Sequence, residues 1–436
     1  MSTPPRNLLM IVPFFPPIAG GGVYRPLAFV KYLGRYGWRP TVVAQRGQAF
    51  WIADEELVGQ VPPDCRVVRT ESLSAQRVLS GLRGGGPAPQ RRSSRGFGAL
   101  RRLASALLVP DTYVGWKPYA LRAARRLLSE ERFDAIYSTS PPETSHLVAG
   151  ELHEATRLPW VADFRDPWMN LHLLRPPSAL HARWHARLEA RVARRATLVV
   201  TTRWQEADMR RRYAGADVVC IPNGFDGDEA AAVAEVAPPK AGPLRIVHVG
   251  MLTQRRSAAP FLRGLRRFCD AHPGAADDVA VAFLGAREDE SERVARALSL
   301  ESVVSFRGSV SHAEALRAER ASHILLLIKH ADAAYDGLVP GKLYEYIGAR
   351  RPILALAPPG EAGDLVHALS RGEVVDPDDE AAVAAAIARL LDRHRRGTLD
   401  HDYDLATRPE LDRAELTAQL AAVLNRIDAA ATEVRR

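Results

Sequence analysis

At 436 residues the chain is too long for one ordinary hydrophobic core, and its 47% apolar and 25% charged residues are typical of a soluble globular protein. Its cleanest apolar runs, such as Ile324 to Ile328, are too short to span a bilayer. The net charge of +8 comes without a nucleic-acid module and without basic residues interleaved with aromatics, so nucleic acid is not an expected partner. Arginine gathers at Arg83–Arg102, Arg122–Arg132 and Arg183–Arg212; a high-GC genome explains that as well as attraction to lipid head groups or a phosphate-bearing acceptor does. Cys65, Cys220 and Cys269 lack metal or disulfide spacing, so a reducing compartment, the cytoplasm, is expected.

Leu8 to Pro13 has the pattern of a buried strand. A turn through Pro16-Pro17 and Gly20-Gly21-Gly22 follows, then a helix with apolar residues at Leu27, Val30, Leu33 and Tyr36, ended by Gly37. Arg39 to Ala44 is the next strand, which completes a βαβ unit with a parallel pair. The alternation recurs with strands at 133–138, 160–164, 197–202 and 218–221 and helices at 144–155, 179–195 and 204–213. Residues 72–105 break the pattern and read as a flexible excursion. Residues 226–242, rich in Ala, Glu and Pro, read as a linker. A second series follows, with strands at 244–249, 279–284, 303–306, 323–328, 352–356 and 373–375. Its helices are expected at 258–271, 288–298, 312–319, 341–347 and 379–395, with a helical tail from 406 to 436. Two open parallel sheets predict a ligand cleft at the carboxyl ends of their strands.

The segment Gly337-Leu338-Val339-Pro340-Gly341-Lys342-Leu343-Tyr344-Glu345-Tyr346 carries the most chemistry. Pro340 suits the first turn of a helix, and Gly341 lets a ligand approach the backbone. The free N–H groups there, with Lys342, form an anion site, and Glu345 one turn on could accept hydrogen bonds from a ribose diol. A nucleotide satisfies both; an ordinary helix with a solvent-facing Glu is the competing reading. Asp163, Arg165 and Asp166 follow a strand end, where they either orient a hydroxyl and stabilise positive charge or form a structural ion pair. His146, His172, His181 and His248 have no ligand spacing, and no metal site is expected.

In order and spacing these pieces resemble the retaining GT-B glycosyltransferases of the GT4 type, also called glycosyltransferase group 1. The resemblance rests on Pro16-Pro17 with Gly20-Gly21-Gly22, on Leu33 to Val43, and on Ile221-Pro222-Asn223-Gly224-Phe225-Asp226. It rests further on His248-Val249-Gly250 with Arg255-Arg256, on Val304 to Gly308, and on Pro340 to Tyr346. It implies an α/β fold of two Rossmann-like parallel-sheet domains facing an interdomain cleft. Residues 1–225 would bind the acceptor and 243–400 the nucleotide-sugar, with 226–242 linking them and the tail 401–436 packing back on the first domain.

The implied activity is metal-independent transfer of a sugar from a UDP-, GDP- or dTDP-sugar to a hydroxyl acceptor, in surface polysaccharide or glycosylated metabolite biosynthesis. The acceptor could be lipid-linked, with peripheral contact at the inner face of the membrane. A UDP-sugar 2-epimerase-type enzyme and a non-catalytic nucleotide- or sugar-binding protein are the alternatives.

By the same resemblance, Gly21, Gly22 and Gly250 approach the phosphates. Arg256, with Arg255 or Lys342, holds the diphosphate; the competing reading is of surface arginines in an arginine-rich chain. Gly308 to Val310 lies against the base, Pro340, Gly341, Lys342 and Leu343 form the helix start, and Glu345 takes the ribose. Two departures stand out. The family's first acid, eight residues before Glu345, is Gly337 here, and the usual His-Asp pair is replaced by Arg165-Asp166. Thr112 to Trp116, with Tyr119 and Arg101-Arg102, offers an amphipathic surface for a lipid-linked acceptor at the membrane; core packing with a solvated face is the competing reading and, for any one residue, the stronger one.

Overall fold

The computed structural model describes residues 5–46, 53–73, 108–169, 176–253, 256–286, 289–329 and 335–435. The chain divides into two compact units, one of residues 1–222 with 413–436, the other of 223–412.

The first unit opens with β1 (Arg6–Ile11), α1 (Tyr24–Leu33), β2 (Trp38–Gln45) and β3 (Arg66–Thr70). It continues with α2 (Lys117–Glu130), β4 (Ala135–Ser140), α3 (Thr144–Thr156), β5 (Trp160–Phe164) and α4 (Ala179–Ala193), and then with β6 (Thr197–Val200), α5 (Arg203–Arg212) and β7 (Val218–Cys220). The seven strands form one parallel sheet in the order β3-β2-β1-β4-β5-β6-β7. Both faces are covered, and β1 shows how: Leu8 and Met10 join one apolar cluster, Leu9 and Ile11 the other. Successive side chains of a strand point to opposite faces, so a strand covered on both reads as an unbroken apolar run.

β3 was not expected. Only its two central valines are apolar, because it is the edge strand; Arg66 pairs outward with Glu130 at 2.8 Å, while Arg69 is half-buried and donates to Pro16 O. α2 was likewise read only as a basic cluster. It turns Ala120, Leu121, Ala124 and Leu127 inward at helical spacing and leaves the arginines outside. For Trp116 the structure favours the core-packing reading. It is fully buried, its indole N–H donating to Thr70 Oγ1 at 2.7 Å, so it lies in the core and not on a membrane-facing surface.

The second unit contains α6 (Gly227–Ala232), β8 (Leu244–Val249), α7 (Ala259–Ala271), β9 (Val279–Leu284), α8 (Asp289–Ala297), β10 (Val304–Phe306) and α9 (His312–Arg320). β11 (Ile324–Ile328), α10 (Gly341–Gly348), β12 (Ile353–Leu356), α11 (Glu361–Ala368), β13 (Gly372–Val375) and α12 (Glu380–Arg396) follow. The sheet is again wholly parallel, in the order β10-β9-β8-β11-β12-β13. The segment expected to be a plain linker holds α6, capped by the Asp226 carboxylate on the N–H groups of Asp228 and Glu229.

The last helix, α13 (Arg413–Arg435), starts later than the composition suggested and belongs to the first unit. Leu416, Leu420 and Leu424 are buried in the apolar cluster that also holds Leu27 and Val30 of α1. Trp38 Nε1 donates to Asn425 Oδ1 at 2.8 Å. The excursion expected at 72–105 falls almost wholly outside the described residues, as do the Arg83–Arg102 cluster and the Arg101-Arg102 pair.

Candidate functional site

Each unit carries its own cluster at the carboxyl ends of its strands. In the first unit, β5 delivers Asp163 and leads directly into Arg165 and Asp166. Asp163 is fully buried. Arg25, near the start of α1, donates to it from Nε at 3.0 Å to Oδ2 and from Nη2 at 2.9 Å to Oδ1. Tyr137 and Thr139 of β4 add hydroxyl donors at 2.6 and 3.2 Å. The remaining Arg25 nitrogen, Nη1, donates to Pro222 O at 2.7 Å. All three Arg25 nitrogens and both Asp163 oxygens thus have partners inside the protein. The buried pair ties α1 to the sheet.

Arg165 and Asp166 stand differently, both half-buried. The Arg165 guanidinium donates to Ser140 O at 3.0 Å and to Pro141 O. A Cβ on Gly22 would collide with this guanidinium, so the glycine-rich turn lies directly on it, whereas Gly21 faces open space. Burial raises the Asp166 pKa against the pull of Arg165. Two acids that the sequence reading missed lie near. Glu143, at the start of α3, is pushed up to about 8 by burial and by the charge of Asp111, so its carboxyl is largely protonated at neutral pH. Asp111 accepts the backbone N–H and the hydroxyl of Thr144, both at 2.8 Å. The basic clusters are largely paired: Arg126 with Glu130 at 2.6 Å, Arg191 with Glu154 at 2.6 Å, Arg212 with Asp208 at 2.8 Å. Leu180 and Trp184 of α4, 69% and 53% exposed, are with Leu73 the most exposed large apolar side chains described in this unit.

In the second unit three glycine turns meet. Gly250 after β8 has φ +146°, Gly285 after β9 +151°, and Gly308 after β10 +74°, all in the region that favours glycine. A Cβ on Gly285 would overlap the Gly250 carbonyl, and the Gly285 N–H donates to Gly308 O at 2.7 Å. Gly285 was missed, although its place immediately after Leu284 is visible in the sequence. Val310, two residues past Gly308, packs on the apolar cluster beneath α10.

His248 is nearly buried. Its Nδ1–H donates to Leu326 O at 2.9 Å, and its Nε2 faces the Gly250 turn. Burial holds its pKa down at about 4, with the charges of Arg256 and Lys342 pushing the same way, so it is neutral. Arg256 and Lys342 are thus both close enough to His248 for their charges to be felt there. Arg256 is half-buried, its Nε has no hydrogen-bond partner, and burial alone lowers its pKa. Among the described residues no carboxylate pairs with it. Arg255 lies outside the described residues.

Pro340 is extended (φ −60°, ψ 138°) and stands at the N-cap just outside α10, and Gly341 begins the helix as expected. Leu343 is fully buried and anchors this turn. Lys342, expected to be open to a phosphate, is instead paired with Glu345 Oε2 and lies 3.7 Å from Glu319 Oε1. Burial pulls the Lys342 pKa down, but the Glu345 carboxylate outweighs it and raises the pKa. The Glu345 side chain is 10% exposed, so solvent is not wholly shut out from it. Tyr346 accepts the Val249 N–H at 3.0 Å and joins the helix to β8. Among the described residues no helix is long and apolar enough to cross a membrane.

Two family models match the chain: a glycosyl transferase 4-like domain over residues 20–224, and glycosyl transferases group 1 over residues 243–393. The chain belongs to the GT-B glycosyltransferases. Its fold is that of sucrose-phosphate synthase from Thermosynechococcus elongatus, with a TM-score of 0.64 and 16% identity over 98% of this chain and 100% of the other. Anabaena HepE, solved with UDP and glucose, has a TM-score of 0.63 and 16% identity over 97% and 100%. WaaG, a glycosyltransferase of lipopolysaccharide biosynthesis, has a TM-score of 0.58 and 13% identity over 96% and 99%. No curated protein matches this GT-B chain significantly by sequence.

Proposed function

We propose that this protein transfers a sugar from a nucleoside-diphosphate sugar to a hydroxyl acceptor, with retention at the anomeric carbon and without a metal ion. Arg256 carries the reading. A half-buried guanidinium with no acidic partner among the described residues, following a glycine turn at a strand end, is a destabilising arrangement until an anion arrives. A diphosphate fits it, because the guanidinium fork matches two phosphate oxygens. Glu345 then takes the ribose, the backbone from Gly308 to Val310 lies against the base, and Gly250 and Gly341 leave room for the phosphates. HepE, with UDP and glucose in its structure, supports a donor of this class.

In the first unit Arg165, Asp166 and Glu143 orient the acceptor hydroxyl, while Asp163 and Arg25 hold the strand end that carries them. No side chain here is placed as an obvious nucleophile, so we read the reaction as front-face attack, the leaving phosphate accepting the acceptor's proton. Release of the nucleoside diphosphate from UDP-, GDP-, dTDP- and ADP-glucose, followed with EDTA present and with a sugar alcohol acceptor, tests this. One donor should turn over in EDTA and give an α-linked product by NMR. A β-linked product would overturn retention, and turnover only with added divalent metal would overturn metal independence.

A further inference from the structure

Glu319 has no part in the chemistry described above, yet its position is unusual. It lies in the last turn of α9, fully buried, and neither carboxylate oxygen has a hydrogen-bond donor. The nearest cation is Lys342 Nζ, at 3.7 Å from Oε1. That same Nζ is already paired with Glu345 Oε2. One ammonium is therefore flanked by two carboxyl groups, Glu345 not wholly shut out from solvent and Glu319 fully buried.

A buried carboxylate with no donor is costly, and such a group keeps its proton instead. Burial pushes Glu319 up to about 8, against the pull of Lys342 and with the charge of Glu345 adding to the push. The titratable groups that face it are Lys342, Glu345 and Tyr346 from α10 and His312 from its own helix. His312 is held in turn by Glu229 of α6 at 3.0 Å.

We propose that Lys342 exchanges carboxylate partners when the donor binds: the ribose hydroxyls take Glu345, Lys342 turns to Glu319, and the Glu319 proton leaves to water. This rests on the reading of Glu345 as the ribose ligand. Charge balances across the exchange. Before binding, Lys342 is the ammonium, Glu345 the carboxylate and Glu319 the neutral acid. Afterwards Glu345 is a carboxylate hydrogen-bonded to the diol, Glu319 is a carboxylate paired with the ammonium, and one proton is in solution. Glu319 is thus a positioning residue: it receives the cation that would otherwise compete with the ribose. The sign of the pH effect follows. The free protein holds the proton and the complex does not, so raising the pH favours the complex until Glu319 is already ionised in the free protein.

The test is calorimetric titration with UDP-, GDP-, dTDP- and ADP-glucose, none of which titrates near neutrality. Each is run at pH 7 in two buffers of different ionisation enthalpy. For the donor that binds, wild type should release about one proton per site, and affinity should rise by up to about tenfold per pH unit between pH 6 and 8. Glu319→Gln should bind the same donor with no proton release and no pH slope. His312 is distinguished by the same variant, because a proton lost from His312 would still appear in Glu319→Gln. Donor binding without proton release in wild type overturns the exchange and leaves the donor site standing. Equal release in both proteins also overturns it. Failure of every donor to bind overturns the donor-site reading and the exchange together.

Discussion

Replacing Arg256 with methionine is expected to lower donor turnover by about 10²- to 10³-fold, the usual cost of removing one preorganised group that stabilises transition-state charge. Charge on the leaving diphosphate grows as the glycosidic bond breaks, so kcat should fall further than KM rises. Arg256→Lys should recover only part of the rate, since a single ammonium cannot make the two parallel contacts of a guanidinium. Stability should move the other way or not at all. Burial lowers the Arg256 pKa, and among the described residues no carboxylate offsets it. A methionine variant that keeps its turnover but melts earlier would show that Arg256 is structural.

Asp163→Ala is expected to cost about 3–5 kcal/mol of stability, because it strands the Arg25 guanidinium in a buried pocket. For a unit of this size that is a fall in melting temperature of roughly 10 °C. The Tyr137 hydroxyl loses its acceptor in the same step. The double variant Arg25→Met/Asp163→Leu should recover part of the loss, since it removes the stranded charge and refills the volume. Thermal melts of the single and double variants measure this directly. A loss below about 1 kcal/mol in the single variant, the range of exposed pairs, would mean that Asp163 is open to water and free to meet an acceptor.

The difference between Asp163 and its neighbours shows where sequence reading stops. The strand Trp160–Phe164 was legible from its composition, and the three polar residues at its end were legible as a cluster. What could not be read was that Asp163 has a partner 138 residues away, on a helix that otherwise looks like a plain apolar element. Arg25 is the cation buried on the inner face of α1, and only the fold brings it to β5. Glu319 was hidden for the same reason. In sequence it is one more acid near the end of a charged helix, and only the packing of α10 over it removes it from water.

Lys342 was read correctly as a cation near the α10 start, but its pairing with Glu345 one turn on, three residues away, was missed. That spacing is visible in the sequence, because residues three apart share a helix face. Strands covered on both faces, such as Leu244–Val249 and Ile324–Ile328, were plain because burial on both sides leaves no polar residue to interrupt the run. Edge strand β3 was not, because its two valines are flanked by two arginines and a threonine and make no apolar run.

The central claim is a donor site built from Arg256 and Glu345. A thermal-shift panel with UDP, GDP, dTDP and ADP, each with and without EDTA, on wild type and Glu345→Ala, tests it most directly. One diphosphate should stabilise wild type equally with and without EDTA, and most of that stabilisation should be gone in Glu345→Ala. Equal stabilisation of both proteins, or none of either by any diphosphate, would contradict the account.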